Sequence, residues 1–158
     1  MTELARHADI ALEVSNFIAL LWEEIEKNEG NNAADFFTED GVFDSKIVCF
    51  NGRQEIKEWF SWRRDMVRTA RHLITNLHFD FSAWHNKREV TVRSVMTHFG
   101  AAGKGVLPMT PPIGIYDQTL VVRQGGQRGW SIALLLNAPV FLAEDHPAKR
   151  YPKAVRQD

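Results

Sequence analysis

The order of sequence patterns along the chain predicts an α+β fold, with helices first and strands after. Residues 8–28 carry apolar side chains at spacings of three and four, the period of one helix face. After residue 72 the period changes to two, which is typical of strands that alternate between the faces of a sheet. Because each helix must bury its apolar face, we expect the helices to cover a curved, mostly antiparallel sheet and enclose a pocket.

Three helices are predicted before the sheet. The first spans residues 8–28 and ends before Gly30, and a short second helix follows at 31–37. The third opens at Asn51-Gly52 and places its apolar residues on one face. Between the second and third helices, residues 41–50 read as the first strand.

Four further strands are predicted. They are residues 72–83, 89–101, 113–124 and 130–138. Polar, glycine-rich or proline-rich turns separate them, and the sequence contains no internal repeat or interdomain linker. We therefore expect one domain over residues 1–143. The polar, proline-broken tail at 144–158 is expected to fray or to lie across a neighbouring subunit.

Composition limits the classes of partner and compartment. The formal net charge is −1, which disfavours nucleic acid and anionic membranes as partners. Cys49 is the single cysteine, so the chain cannot form an internal disulfide, and its apolar neighbours predict a buried thiol in a reducing compartment. The sequence shows neither a secretory leader pattern nor a long apolar span, and we expect a cytoplasmic protein.

Two stretches carry a resemblance to a known family. Residues 39–43 resemble the acidic turn and first strand of the SnoaL-like branch of the NTF2-like superfamily, and residues 50–56 resemble its glycine-initiated third helix. The resemblance covers about residues 8–140 in element order. It implies an NTF2-like cone, a fold that houses dehydratases, dehydrochlorinases, polyketide cyclases, isomerases and non-catalytic subunits.

A candidate base lies at His72. An imidazole and a carboxylate from different elements can form an oriented base, and Glu26 closes the first helical segment. Residues 72–77 are similar to the strand that bears the catalytic histidine in hexachlorocyclohexane dehydrochlorinase and, more loosely, to a pocket strand of scytalone dehydratase. Those enzymes support the histidine with an aspartate, and Glu26 matches that position with one more methylene. The resemblance implies a lyase that needs no cofactor.

Further site residues follow from the same resemblance. His98 matches a second pocket histidine that holds or protonates a departing hydroxyl, and Tyr116 is a candidate for polarising a carbonyl. Asp117 and Thr119 stand where scytalone dehydratase presents serine and asparagine, and Asn137 is an alternative polar group. The residues expected to shape an apolar cavity are Trp22, Phe43, Trp59, Met96 and Phe141.

Strand parity conflicts with an inward His72. Leu73, Leu77 and Phe79 share one face of an unbroken strand, and His72 falls on the other. A β-bulge near Ile74-Thr75 would remove the conflict, because one extra residue reverses the alternation.

Three functions remain open from the sequence. The first is a dehydratase-like lyase that removes a proton from a hydrophobic, cyclic small molecule. The second is an isomerase or polyketide cyclase, which begins with the same proton abstraction. The third is a non-catalytic binding or assembly module, which predicts a filled cone and no His–Glu contact. A homodimer or homotrimer is expected in each case.

Two groups of charged or titratable residues are read as structural. His72, His78 and His85 lack the spacing of common metal motifs, so no metal site is expected. The basic run that includes Arg63 and Arg68 is read as a solvated helix face.

Overall fold

Helices dominate the first part of the chain and strands the rest, as the sequence patterns predict. The computed structural model describes residues 2–153. Its helices are α1 (Glu3–Lys27), α2 (Arg53–Asp65) and the short α3 (Trp84–Lys87), with single 3-10 turns at Ala33–Phe36 and Pro147–Arg150. Its strands are β1 (Phe37–Asp44), β2 (Cys49–Asn51), β3 (Arg68–Asp80), β4 (Glu89–Ala102), β5 (Gly114–Gln124) and β6 (Trp130–Leu142). None of the helices in the described part is long and apolar enough to cross a bilayer.

The six strands form one mixed sheet in the order β2-β1-β6-β5-β4-β3. β1 runs parallel to β6, and the other neighbouring pairs are antiparallel. The sheet is strongly curved but does not close, so β2 and β3 are its edges. The α+β class and the mostly antiparallel sheet are confirmed.

The predicted first strand, residues 41–50, is instead a hairpin of two strands. Lys46 adopts a left-handed conformation with φ 62°, and its backbone N–H donates to the Asp44 carboxylate at 2.7 Å. This local turn reverses the chain between β1 and β2. Cys49 consequently points outward from the short strand β2 and is exposed, so the prediction of a buried thiol was wrong.

The core lies between the helices and the concave face of the sheet. α1 buries one continuous stripe, which includes Val14, Leu21 and Ile25. α2 contributes Ile56, Trp59 and Phe60 at helical spacing. Burying a leucine or isoleucine side chain stabilises a fold by roughly 1.5–3 kcal/mol, so these stripes fix both helices against the sheet.

A β-bulge in β3 resolves the parity conflict. The pairing of β3 with β4 shifts between Thr75 and His78, and Asn76 there has φ 56°. Before the bulge His72 and Ile74 turn toward the interior, and after it Phe79 does. The extra residue therefore lets β3 bury even-numbered side chains before the bulge and odd-numbered side chains after it. The bulge begins next to the predicted position.

Asn76 should tolerate glycine but not a β-branched residue. Its left-handed backbone costs most residues about 1–2 kcal/mol, and asparagine and glycine are the usual exceptions. We expect Asn76→Val to lower the free energy of unfolding by about 1–2 kcal/mol, and Asn76→Gly to change it by less than about 0.5 kcal/mol. Urea denaturation measures both. Thr75→Val, at an exposed neighbour, is the control; an equal loss there would contradict the bulge argument.

Candidate active site

A chamber of about 80 Å³ lies between the helices and the concave face of the sheet. Helices α1 and α2, strands β1 and β3 to β6, and the segment after β6 all contribute to its wall. Six residues predicted to bind substrate line it: Trp22, Phe43, Trp59, Met96, Tyr116 and Asn137. The two predicted histidines, His72 and His98, line it as well. A largely apolar cavity with a few polar groups converging on it is the usual form of a small-molecule site.

Phe141 does not reach this chamber. Its neighbours in the sheet show the cause: Tyr116 pairs with Pro139, but Ile115 pairs with Phe141, so Val140 is an extra residue in β6. This bulge turns Phe141 to the outer face, where it is 66% exposed. The prediction that Phe141 shapes the cavity was therefore wrong, and periodicity alone gave no sign of the bulge.

Glu26 contacts His72 through two hydrogen bonds. Its Oε1 atom accepts from the backbone N–H of His72 at 2.6 Å and lies 3.2 Å from the ring Nδ1 atom. β3 is an edge strand, so its outward amides lack a strand partner, and the carboxylate at the end of α1 satisfies one of them. The backbone contact fixes Glu26 at the place where it can orient the imidazole.

Burial favours the neutral imidazole at His72. The side chain is 5% exposed, and this burial, with Arg63 and Arg71 nearby, lowers the pKa of His72 to about 3. Burial also raises the pKa of Glu26, although the hydrogen bond from the His72 amide opposes that shift. With Nδ1–H donating to the carboxylate, the remaining Nε2 lone pair of His72 is free to accept a proton. This tautomer is assigned from the hydrogen-bond network.

Two aromatic rings hold the imidazole of His72 in place. Trp22 packs on it with ring centroids 4.4 Å apart, and His98 stacks on it at the same separation with planes 20° apart. His72 and His98 are paired residues of neighbouring strands, which explains the stacking. Burial, followed by the proximity of His72, holds the pKa of His98 well below its usual value. Two neutral imidazoles therefore face the chamber together.

Tyr116 is paired with a histidine that sequence reasoning missed. The Nδ1 atom of His146 accepts from the backbone N–H of Ala148 at 3.3 Å, so its Nε2–H donates to the Tyr116 hydroxyl oxygen at 3.0 Å. The hydroxyl proton of Tyr116 is then free for a bound molecule. Gly114 is required beside it, because a Cβ there would collide with the phenol ring. Burial raises the pKa of Tyr116 and lowers that of His146 to about 4.

The segment that carries His146 packs on its own chain. His146 is 6% exposed, and Ala148 and Tyr151 are buried beside it. The Tyr151 ring contacts Trp59 and Phe50 edge-on, with centroids 5.2 and 5.3 Å away. The expectation of a fraying or subunit-crossing tail is therefore corrected for residues 144–153; residues 154–158 lie outside the described part.

A buried amide network lies beside the chamber. The Gln118 amide donates to Asn137 Oδ1 at 2.8 Å, and its own oxygen accepts from Ser94 at 3.2 Å. Gln118 is 1% exposed, whereas Asp117 beside it faces outward. The resemblance to scytalone dehydratase suggested Asp117 and Thr119 as the polar residues of this region. Strand alternation instead turns Gln118 inward. The alternation of side chains along β5 was the sequence signal that indicated an inward Gln118.

Arg63 lines the chamber instead of forming part of a solvated helix face. It follows Trp59 by four residues and therefore lies on the same side of α2. Its guanidinium makes one long contact, 3.5 Å from Nη1 to the Ile25 carbonyl oxygen. The sequence interpretation of this basic run was wrong for Arg63, although its helical spacing was a usable signal.

A second cluster of titratable side chains, outside the lining of the chamber, contains two histidines and one glutamate. Glu3, His7 and His85 place their ligand atoms within 4.8 Å of one another, the one such group in the described part of the chain. His85 Nε2 lies 3.0 Å from Glu3 Oε1, so the contact ties the start of α1 to α3. The sequence argument against a metal site overlooked the four-residue step from Glu3 to His7.

Residues 6–135 match the SnoaL-like domain family. The chain belongs to this family. No match was found among curated protein sequences.

Solved structures share the fold of this SnoaL-like protein. A variant of Rv3472 from Mycobacterium tuberculosis, of unknown function, has 22% identity and a TM-score of 0.73 over 92% of this chain and 80% of that one. A candidate scytalone dehydratase from Novosphingobium aromaticivorans has 17% identity and a TM-score of 0.68 over 85% and 87%. An NTF2-like protein with a cystatin-like fold from the same organism has 15% identity and a TM-score of 0.68 over 95% and 96%. At these identities the likeness shows the fold.

The chamber histidines should make the protein sensitive to acid. Folding holds the pKa of His72 to about 3, that of His146 to about 4 and that of His98 well below the ordinary value of 6.5. Below about pH 6.5 the unfolded chain binds more protons at these three sites, so the free energy of unfolding falls as the pH falls. The raised pKa of Glu26 acts in the opposite direction, because the folded state then binds the extra proton.

We expect a loss of up to about 4 kcal/mol per pH unit between pH 6 and pH 5, since each histidine contributes about 1.4 kcal/mol per unit. Urea denaturation at stepped pH values measures this slope. His146→Asn should remove roughly one third of it. His78→Asn, at an exposed histidine, should leave it unchanged. A flat profile for the parent protein would contradict the burial argument.

Proposed function

We propose that this protein is a cofactor-independent lyase of the dehydratase type that acts on a hydrophobic, cyclic small molecule. The observation that carries the proposal is the contact between Glu26 and the buried His72 ring at the wall of a chamber. A neutral imidazole that a carboxylate orients can accept a proton from a molecule bound in the adjoining cavity. No step requires a metal or organic cofactor.

The proposed reaction begins with proton transfer to His72. Its Nε2 atom takes a proton from the carbon next to a substrate carbonyl, and Glu26 stabilises the imidazolium that forms. The electron pair moves onto the carbonyl oxygen, which accepts a hydrogen bond from Tyr116. A hydroxyl on the next carbon then leaves as the carbon–carbon double bond forms. The proton on His72 passes to that hydroxyl, which His98 holds, and the products are an unsaturated ketone and water.

An isomerase or cyclase is the second candidate. The observation that favours it is the free hydroxyl proton of Tyr116, supported from behind by His146. A phenol in this position stabilises an enolate however the reaction then ends. Returning the proton to a different carbon gives isomerisation, and attack of the enolate on a second carbonyl gives cyclisation.

The geometry argues against the non-catalytic module. That alternative predicts a packed cone and no contact between Glu26 and His72. The chamber and the 3.2 Å separation support a catalytic interpretation instead.

Replacing His72 should abolish turnover while the fold survives. A pair of substrates separates the two reactions: 3-hydroxycyclohexanone forms a conjugated enone by losing water, and cyclohex-3-enone forms the same enone by isomerisation. Both are followed by ultraviolet absorbance. We expect His72→Gln to lower kcat by about 10²–10⁴-fold, because it removes the general base. Glu26→Gln keeps the amide contact through its oxygen and should lower kcat less.

Glu23→Gln is the matched control, since Glu23 lies on the same helix and pairs with Lys27 at the surface. It should leave kcat unchanged. Proton exchange from 1-tetralone into deuterated water, followed by NMR, detects abstraction even when no hydroxyl can leave. Exchange that persists in His72→Gln would rule out His72 as the base.

We also propose that the protein forms a homo-oligomer through the outer face of its sheet. Leu73, Thr97, Ile115 and Phe141 are successive partners across β3 to β6, so they form one row on that face. Leu73 is 55% exposed and Phe141 66% exposed. An exposed apolar row of this kind supports self-association.

Phe141→Asp should convert the oligomer to a monomer, because it places a charge within the buried face. Sedimentation velocity at micromolar concentration measures the mass of the particle. Leu12→Asp, at a residue of α1 that is 63% exposed, is the control and should not change that mass. A monomeric parent protein would contradict the proposal.

A further inference from the structure

A second cavity, which we call the mouth, has charged walls formed by Glu26, Glu29, Arg63, Arg64, Arg68 and Lys104. Arg63, His98 and His146 line both this cavity and the chamber, so the two spaces adjoin each other. The mouth has four cationic side chains and two carboxylates, and its three neighbouring histidines favour their neutral forms. This leaves an excess of two positive charges beside an apolar cavity.

Both carboxylates of the mouth are already engaged. Glu29 forms an ion pair with Lys104. Glu26 accepts the two hydrogen bonds from His72, and its other oxygen lies 3.8 Å from Arg71. Within residues 2–153, no carboxylate oxygen lies within 4 Å of a guanidinium nitrogen of Arg63 or Arg68. Arg63 and Arg68 are therefore cations of the mouth that lack an ion-pair partner in this part of the chain.

Arg63 holds its charge in an unfavourable setting. A guanidinium has five N–H donors, and within residues 2–153 that of Arg63 makes one hydrogen bond, the 3.5 Å approach to the Ile25 carbonyl oxygen. Burial lowers the pKa of Arg63 to about 10. A partly buried cation without an anion costs stability, and such costs are commonly retained where they serve binding.

Arg68 approaches the same space from β3. Gly100 on the neighbouring strand lacks a side chain, and a Cβ built there would lie 3.7 Å from Arg68 Nη2 and 3.4 Å from His98 Nε2. The guanidinium of Arg68 therefore lies above this glycine near the second chamber histidine. A ligand group at the mouth can reach both Arg63 and Arg68 while its remainder enters the chamber.

We propose that the substrate carries a carboxylate, which Arg63 binds at the mouth with help from Arg68, while its apolar ring fills the chamber. This inference rests on the proposed function, since it names the substrate class of that same site. Guanidinium groups bind carboxylates through paired, charge-assisted hydrogen bonds, which are about twice as strong as neutral ones. Anchoring the carboxylate would also fix which carbon of the ring faces His72.

Binding of a matched pair of probes tests this without turnover. 2-Naphthoate and 2-naphthamide have the same ring and nearly the same shape, and they differ in charge. Trp22 and Trp59 line the chamber, so quenching of tryptophan fluorescence reports occupancy, and calorimetry checks the affinity. We expect 2-naphthoate to bind at least about 10-fold more tightly than 2-naphthamide.

The variant Arg63→Met should lower the affinity for 2-naphthoate about 10-fold or more, and leave that for 2-naphthamide unchanged. Arg63→Lys should recover part of the loss. We expect the melting temperature of Arg63→Met not to fall, because the substitution removes an uncompensated charge. If the melting temperature does fall, Arg68→Met serves as the second test variant. Arg6→Met, at an exposed arginine of α1, is the control.

Equal binding of the two probes, or an unchanged preference in both Arg63→Met and Arg68→Met, would overturn the carboxylate inference and leave the proposed lyase intact. Failure of both probes to bind would count against the apolar chamber as a ligand site, and so against both proposals. A preference for 2-naphthoate that Arg63→Met removes would support the inference, even if His72→Gln still catalysed exchange.

Discussion

The contact of the Glu26 carboxylate with the edge of β3 organises this molecule. β3 borders an open sheet, and its outward amide at His72 would otherwise face a helix without a partner. A carboxylate at the end of α1 satisfies that amide and reaches the imidazole of the same residue. One side chain thus joins the helix to the sheet and orients the candidate base. Structure and chemistry depend on the same carboxylate, because an unsatisfied edge amide and a misplaced imidazole would arise together.

Bulges decide which residues reach the chamber. The bulge at Asn76 lets β3 turn His72 inward while Phe79 also packs against the core. The bulge at Val140 in β6 has the opposite effect, since it sends Phe141 to the outer face. A curved sheet needs such irregularities to bend around a cavity, and each one reverses the alternation beyond it. Side-chain direction in this fold is therefore set by a few backbone irregularities as much as by the pattern of the sequence.

The chamber combines neutral bases with unpaired cations. His72, His98 and His146 are held neutral by burial, and the nearby arginines add to that effect. Neutral imidazoles accept protons or donate hydrogen bonds, and the cations stabilise negative charge on a bound molecule. The burial of these histidines and the unpaired cations both lower the free energy of unfolding. They suit a site that binds an electron-rich molecule and moves a proton within it, whichever of the related reactions follows.

The sequence by itself determined the fold class and indicated the family, and it singled out His72 and Glu26 as candidates for a histidine–carboxylate pair. Their contact was shown by the tertiary structure. Local periodicity specifies helices and strands, and residues 39–43 and 50–56 carry the resemblance to the family. Only the tertiary structure showed that Arg63 and His146 line the chamber and that Gln118 is buried beside it. Strand direction beyond a bulge, the path of a polar tail and the burial of an arginine depend on contacts between residues far apart in the chain, which local patterns do not encode.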